Sequence, residues 1–324
     1  MIKFDLKELK RQELSFYLGL EKYLVNLGKK EEYFFLWDIG PSIIIGKNQL
    51  LYSEVNVLEA LKLGCGIFRR PSGGGAIFAD SGCFMYSFIV RRKEKNLVYQ
   101  ECLGKLKDTL NKIGLNIEFS GRNDLILDGK KFSGCAMYYE KDYAILHGTF
   151  LYDTNLENLV RCVTPSNEKL ISKGIKNVSS RVINTKSYLS LTKDELMDYL
   201  VKDLDFGIIK GVKDLDISKV DEYKKLFDDK ERNYGSNPPY DFDNKVRFPY
   251  GEIEIRISIN KDKIKDIMFY GDFFLKHDLD EFKNSFIGIE FEKEKIEKVL
   301  EKNDVSSFIE GASNIDIIKI IFGG

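Results

Sequence analysis

Residues 233–244 read NYGSNPPYDFDN, and no other stretch limits the possible folds so strongly. Two adjacent prolines remove two backbone donors and push the residue ahead of them out of the helical region, while glycine and asparagine favour turns. Neither a helix nor a central strand continues through such a segment. At 324 residues the chain also exceeds the roughly 100–200 residues of one ordinary domain. The expectation is therefore two bodies, a large one over 1–245 and a small α+β one over 246–324. In the small body Ile253, Ile255, Ile257 and Ile259 alternate with Glu252, Glu254, Arg256 and Ser258, which predicts a half-buried strand. A partner strand is expected over 264–270, with helices after it.

In the large body, Leu14, Tyr17, Leu18, Leu24 and Leu27 recur at helical spacing, and Gly28 follows where a left-handed cap would sit. Short apolar strands are predicted over 33–37 and 42–45, separated by Gly40 and Pro41, then a helix over 55–63 before Gly64. A buried strand over 83–90, a helix over 96–114, and strands around Leu125, Phe132 and over 144–151 complete the pattern. That order predicts an α+β fold, a mixed sheet with helices packed on it. The 43% hydrophobic and 13% aromatic content is ample for real cores, and no 20–50-residue repeat points to a solenoid.

Fifty basic residues against fifty-one acidic ones lack the excess expected of a nucleic-acid binder, so no nucleic acid is expected as partner. No apolar run approaches the 18 or more residues of a membrane span, and the first residues do not form a secretion signal. Five widely spaced cysteines without a CxxC pair suit a reducing compartment better than a disulfide framework. These readings place the chain in the cytoplasm, away from membranes.

Chemistry concentrates in four stretches. RRPSGGGAIFAD (69–80) sets three glycines after a serine and two arginines, directly beyond a predicted strand at 66–68. Glycines can take positive φ and turn backbone N–H groups outward as a nest for phosphate or carboxylate, and Arg70 adds a planar, permanent charge. By itself such a cluster also serves an ordinary turn. It is neither a GxxxxGK[ST] loop nor a GxGxxG turn. GRNDLILDGKKFSGCA (121–136) reads as a hairpin with Asn123 and Asp124 ahead of one strand and Lys131 at the start of the next. HGTF (147–150) follows. KLISKGIKNVSSRVIN (169–184) resembles a phosphate-seeking loop, or else a solvated basic connector. With only His147 and His277 in the chain, a histidine-held metal and a serine–histidine hydrolase lose support.

RRPSGGGAIF, GRNDLILDGKKFSGCA, HGTF and SKGIKNVSSRV (172–182) together resemble, in order and spacing, the lipoate-protein ligase A family. The resemblance implies the biotin and lipoate protein ligase fold, a mixed sheet flanked by helices with a small α+β accessory domain, and divides the chain into a catalytic part (1–245) and an accessory part (246–324). It implies ATP, Mg²⁺ and lipoate as substrates and cofactor. The nucleotide and lipoyl-adenylate would be bound by Arg70, Ser72, Gly73, Gly74, Gly75, Ala76, Ile77, Phe78, Asn123, Asp124, Lys131, Ser133, Gly134, His147, Thr149, Lys173, Gly174 and Arg181. Lys131 would be the catalytic cation, and Asp124 a ligand for Mg²⁺. The acceptor would be a lysine of a glycine-cleavage H protein or of a 2-oxoacid dehydrogenase lipoyl domain. Ile77, Phe78, Phe84 and Tyr86 could line an apolar tunnel for the acyl tail or simply pack a core. The competing reading is an ATP-independent octanoyl or lipoyl transferase with Cys135 as thioester nucleophile, on one strand face with Ser133 and Lys131.

Overall fold

The computed structural model describes residues 1–120, 123–163, 181–205, 207–235 and 240–323. The chain divides into two compact units. The first comprises residues 1–44, 54–70 and 77–234; the second comprises 45–53, 71–76 and the chain from Gly235 onward.

The strands are β1 (Ile2–Asp5), β2 (Tyr33–Trp37), β3 (Ser42–Ile45), β4 (Gly66–Arg69), β5 (Ile77–Ala79), β6 (Cys83–Arg91), β7 (Ile117–Ser120), β8 (Asp124–Leu127), β9 (Lys130–Glu140), β10 (Tyr143–Leu151), β11 (Ile208–Gly211), β12 (Phe242–Phe248), β13 (Gly251–Asn260) and β14 (Lys263–Gly271). The helices are α1 (Leu14–Asn26), α2 (Leu51–Glu54), α3 (Val57–Lys62), α4 (Lys95–Asn111), α5 (Leu156–Cys162), α6 (Lys193–Asp203), α7 (Ile217–Asp228), α8 (Lys230–Tyr234), α9 (Asp280–Asn284), α10 (Lys293–Lys302) and α11 (Asn314–Phe322).

An eight-stranded sheet in the order β11-β1-β2-β6-β10-β9-β8-β7 forms the centre of the first unit. β1 runs parallel to both its neighbours, β11 and β2, and the other pairs are antiparallel. A smaller sheet has the order β4-β3-β5. Because side chains alternate across a strand, the long central strands feed two cores. One face carries Trp37, Met85, Ile89, Ile145 and Leu151 against Tyr17, Leu20 and Leu24 of α1 and Val220 of α7. The other carries Phe34, Phe84, Tyr86, Leu146 and Phe150 against Leu103 and Leu106 of α4 and Leu200 of α6. At Gly19 a β-carbon would stand 2.8 Å from the backbone nitrogen of Lys224, so α1 and α7 approach at a point where only glycine fits. Helix α1 ends as its sequence predicts, with Gly28 at φ +67°.

In the second unit β12, β13 and β14 form an antiparallel sheet. Lys261 and Asp262, both at positive φ, make the two-residue turn whose twist suits a hairpin. Ile253, Ile255 and Ile257 are buried beneath α9, α10 and α11, with Phe282, Ile296, Leu300 and Ile317. Helix α11 starts in a reciprocal capping box between Ser313 and Asp316.

The connection at 233–244 is shorter than its composition suggests. Asn233 and Tyr234 close α8, and β12 begins at Phe242. Asn233 is buried, donating to Phe227 O at 2.8 Å and accepting from Arg69 N at 2.9 Å, which holds the last turn helical. Among the described residues no helix is long and apolar enough to cross a membrane.

Candidate active site

β8 and β9 pair through a bulge. Leu125 faces Ser133, but the next residue, Ile126, faces Lys131. Phe132 is the extra residue, and it points into the second core. The main chain of Lys131 is fixed from outside the sheet: its N–H donates to Arg181 O at 2.8 Å, and its carbonyl accepts from Ile183 N at 2.9 Å. Its side chain folds back over Gly134, where a β-carbon would stand 2.4 Å from Nζ. Nζ lies 2.8 Å from Oδ1 of Asp124, a buried oxygen that accepts no directed hydrogen bond. The result is a lysine side chain, 39% exposed, whose ammonium is held above a bare patch of strand.

The folded-back lysine shares a sheet face with His147. On β9, Gly134, Ala136 and Tyr138 alternate with Cys135 and Met137, which belong to the second core. Tyr138 packs on the first core. On β10, His147 pairs with Ala136 and alternates with Leu146 of the second core. Nδ1 of His147 donates to both carboxylate oxygens of Glu21, at 3.0 and 3.2 Å. Ser87 Oγ donates to Oε1 at 2.6 Å, and Tyr138 OH donates to Oε2 at 3.3 Å. Trp37 Nε1 donates to Ser87 Oγ at 2.9 Å. Glu21 is fully buried. A buried carboxylate is tolerable only with such a set of donors.

Of the expected site residues, Thr149 and Arg181 bond directly to these strands, while Ile77 and Arg70 are placed by other contacts. Thr149, on β10, donates to Gly134 O at 3.4 Å, and Ile77 packs on the first core from β5. Arg70 is buried, with Nη1 donating to Ile44 O at 3.2 Å. Burial lowers its pKa to about 10, leaving it cationic at neutral pH. Arg181 supplies the carbonyl that anchors Lys131. Lys173 and Gly174 fall outside the described residues.

Other residues point elsewhere. Asn123 Nδ2 donates to Cys135 O at 2.6 Å, and its carbonyl accepts from Cys135 N at 3.1 Å, a brace between the two strands. Ser133 is buried, with Oγ 2.9 Å from Tyr86 OH. Cys135 shares that core, whereas the ammonium of Lys131 lies on the Gly134 side. The bulge and the fold-back thus separate groups that strand alternation alone would place together. Burial, then the charge of Asp124, pushes the Cys135 thiol well up, against nucleophilic use. Phe84 and Tyr86 are core residues: Phe84 stacks on Phe150 at 4.5 Å, on the sheet face away from Ile77. Phe78 is buried.

Residues Ser72–Ala76 belong to the second unit. Ser72 O accepts from Lys47 N at 2.9 Å, and Asn48 O accepts from Gly271 N at 2.9 Å. A β-carbon on Gly73 would stand 2.6 Å from Phe273 O, and one on Gly46 would stand 2.2 Å from Gly74 O. Gly74 has φ +89°, a conformation open to glycine. Gly73 is thus required by close backbone packing and Gly74 by its conformation, whereas a β-carbon on Gly75 would meet nothing within 4 Å.

Sequence reasoning overlooked Glu21, Ser87, Trp37 and Tyr138. A signal for Glu21 exists: it lies three and four residues from Leu18, Tyr17 and Leu24, so a charge interrupts the apolar stripe of α1. Among the described residues no three His, Cys, Asp or Glu gather to hold a metal. Asp124, whose Oδ1 is paired with the Lys131 ammonium at 2.8 Å, is a carboxylate of the type that Mg²⁺ held mainly by phosphates and water takes from a protein.

The solved structures define the class first. P. falciparum LipL1 in complex with lipoate superposes with a TM-score of 0.74 at 23% identity, covering 98% of this chain and 97% of that one. A lipoate-protein ligase A bound with ATP gives 0.60 at 18% identity, over 72% and 98%. The expected fold class, a ligase-type mixed sheet with a small α+β C-terminal domain, holds.

The family follows from sequence. Residues 13–205 match the lipoyl protein ligase A/B catalytic domain, and residues 237–321 match the bacterial lipoate protein ligase C-terminus. A probable lipoate-protein ligase A of Mycoplasma pneumoniae is 34% identical over 95% of this chain and 91% of its own length. The chain belongs to the lipoate-protein ligase family of enzymes.

Proposed function

We propose that this chain adenylates lipoate with ATP and then transfers the lipoyl group to a lysine of an acceptor protein. The observation that carries the reading is the Lys131 ammonium laid over Gly134 beside Asp124. In the first step a lipoate carboxylate oxygen attacks the α-phosphorus of ATP, and pyrophosphate leaves with the electrons of the broken P–O bond. In the second, the neutral acceptor amine attacks the acyl carbonyl of lipoyl-AMP. The C–O bond breaks, AMP leaves as an anion, and the amine proton passes to solvent. Both steps gather negative charge on oxygens around one phosphorus, which a preaimed ammonium stabilises without reorganisation. Arg70 is the second cation of this reading, with Ser72–Ala76 and the loop of Lys173 and Gly174 as nucleotide-binding segments. Ile77, Phe78, Asn123, Ser133, Gly134, His147, Thr149 and Arg181 complete the pocket or brace it. Asp124 is the residue that would hold Mg²⁺, which when bound would neutralise part of the phosphate charge.

The same proposal takes residues 1–245 as the catalytic part and 246–324 as the accessory part, and the cytoplasm as compartment. Five free thiols support a reducing setting. The acceptor class is the glycine-cleavage H protein or the lipoyl domain of a 2-oxoacid dehydrogenase. The test is mass spectrometry of each acceptor after incubation with enzyme, ATP, Mg²⁺ and lipoate, each omitted in turn. A lipoyl mass increment that needs ATP supports the reading. An increment from an acyl donor without ATP would overturn it in favour of a transferase, against the burial of Cys135.

A further inference from the structure

Two cysteines that the ligase chemistry leaves unused stand against each other. Cys65 directly precedes β4, and Cys162 is the last residue of α5. Main-chain bonds anchor both to α3. Asn56 N donates to Cys162 O at 2.8 Å, and Cys65 N donates to Ala60 O at 2.9 Å. Asn56 also caps α3, its side chain accepting from Glu59 N at 3.3 Å. Glu59 in turn accepts from Arg161 Nη2 at 2.5 Å, a second link between α3 and α5. Within this frame the Cys65 thiol donates a hydrogen bond to the Cys162 sulfur. Thiols in hydrogen-bond contact meet the first requirement of a disulfide, side chains that point at each other.

The thiolate is the reactive form of cysteine, and the pair divides that role. The hydrogen bond from Cys65 lowers the pKa of Cys162, and the Arg161 guanidinium favours the anion as well, against the opposing effect of burial. The same bond raises Cys65 and keeps it protonated as the donor. The other thiols differ. Burial pushes Cys83 and Cys102 up to about 12, which leaves more than about 1,000-fold less thiolate than an ordinary cysteine has, and it raises Cys135 too. Both sulfurs of the pair are buried, Cys65 being 5% exposed and Cys162 not at all. Their cover is nevertheless thin, for α3 and α5 are short helices on which Leu58 and Leu61 are exposed. Local opening of such elements admits a small oxidant.

We propose that Cys65 and Cys162 form a redox modification site, a dithiol that hydrogen peroxide converts to a disulfide and that a small dithiol restores. The Cys162 thiolate attacks one peroxide oxygen; the O–O bond breaks, and the other oxygen takes a proton and leaves as water. Cys162 is then a sulfenic acid. The Cys65 sulfur attacks the Cys162 sulfur, the S–O bond breaks, and the leaving hydroxide takes the Cys65 proton. In sum, two thiols and one peroxide give one disulfide and two waters. The bond closes the long loop from residue 65 to residue 162, the kind of cross-link that stabilises most. In a reducing setting such a bond is transient and reports an oxidant.

The test is peptide mapping by mass spectrometry of the folded full chain after treatment with hydrogen peroxide, beside a thermal melt. The expected result is a loss of two hydrogens and a peptide cross-linked between Cys65 and Cys162, reversed by dithiothreitol, while Cys83, Cys102 and Cys135 stay reduced. The oxidised chain should melt about 5 °C higher than the reduced one. Cys65→Ser should stop at a sulfenic acid on Cys162 that dimedone captures, and Cys162→Ser should leave Cys65 reduced. A wild-type chain that stays fully reduced, or that is oxidised first at another cysteine, overturns the proposal, and neither result needs a variant that folds. A cross-link found only where the melt has already collapsed marks oxidation of unfolded protein and overturns it as well. None of these outcomes depends on ligase activity, so the two readings stand or fall separately.

Discussion

Replacing Gly134 with alanine tests whether the fold-back of Lys131 matters. The added β-carbon would stand 2.4 Å from Nζ and 2.5 Å from the adjacent carbon of Lys131, against 3.4 Å or more for ordinary contact. The lysine end must therefore move by about 1 Å or more. Gly134 is not among the glycines at positive φ, and the obstructing atoms are the tip of a flexible side chain. Unfolding free energy should change by less than about 0.5 kcal/mol. Catalysis should not be spared: displacement of about 1 Å at a reacting group can cost about 100-fold, or about 2.7 kcal/mol of barrier. The assay is lipoate-dependent ATP–pyrophosphate exchange beside a thermal melt. Lys131→Ala and the double variant complete a cycle in which the two losses should overlap rather than add. A folded Gly134→Ala enzyme exchanging pyrophosphate at the wild-type rate would refute the role given to the fold-back.

Lys131→Ala alone should lower adenylation by at least about 100-fold, measured as single-turnover formation of lipoyl-AMP. Cys135→Ser should retain ligation within a few-fold, and native protein at pH 8 should resist alkylation at Cys135, because burial raises that thiol; mass mapping reads both. Gly104→Ala, in α4 with open space around the new carbon, should raise stability by about 0.5–1 kcal/mol in a denaturant titration. Asp278 is held below the usual carboxylate range by the hydrogen bond from Lys47. The folded state then binds fewer protons there than the unfolded one. Its contribution is present above about pH 4 and is lost as pH falls through the lowered value. With its side chain 58% exposed that contribution is below about 1 kcal/mol, and Lys47→Ala should abolish this part of the acid sensitivity of the melt.

Much of the fold was legible where structure is local. The stripe from Leu14 to Leu27, the run from Cys83 and the alternating isoleucines of β13 each carry their period in adjacent residues. The parallel pairing of β1 with β11 joins Ile2 to Ile208, and nothing in either tetrapeptide announces a partner two hundred residues away. The site divides in the same manner. Lys131, Asp124 and His147 were found by residue type and motif, but their relations depend on a bulge that strand alternation does not foresee. That bulge sends Cys135 to the opposite core and lets the lysine lie over glycine. Glu21 was concealed because a single glutamate in a helix ordinarily faces water; only its place on the apolar stripe betrays it.

The glycine triplet is encoded in the first quarter of the chain, yet it rests on Phe273 and belongs to the body built from the last quarter. Ending the polypeptide near residue 235 would take away the bed beneath Gly73 and the Gly271 amide and Asp278 carboxylate that bond the 45–53 segment. Such a fragment would carry every motif letter of the loop with the support for its shape removed. The C-terminal body is in this sense a mould for an earlier piece of the sequence.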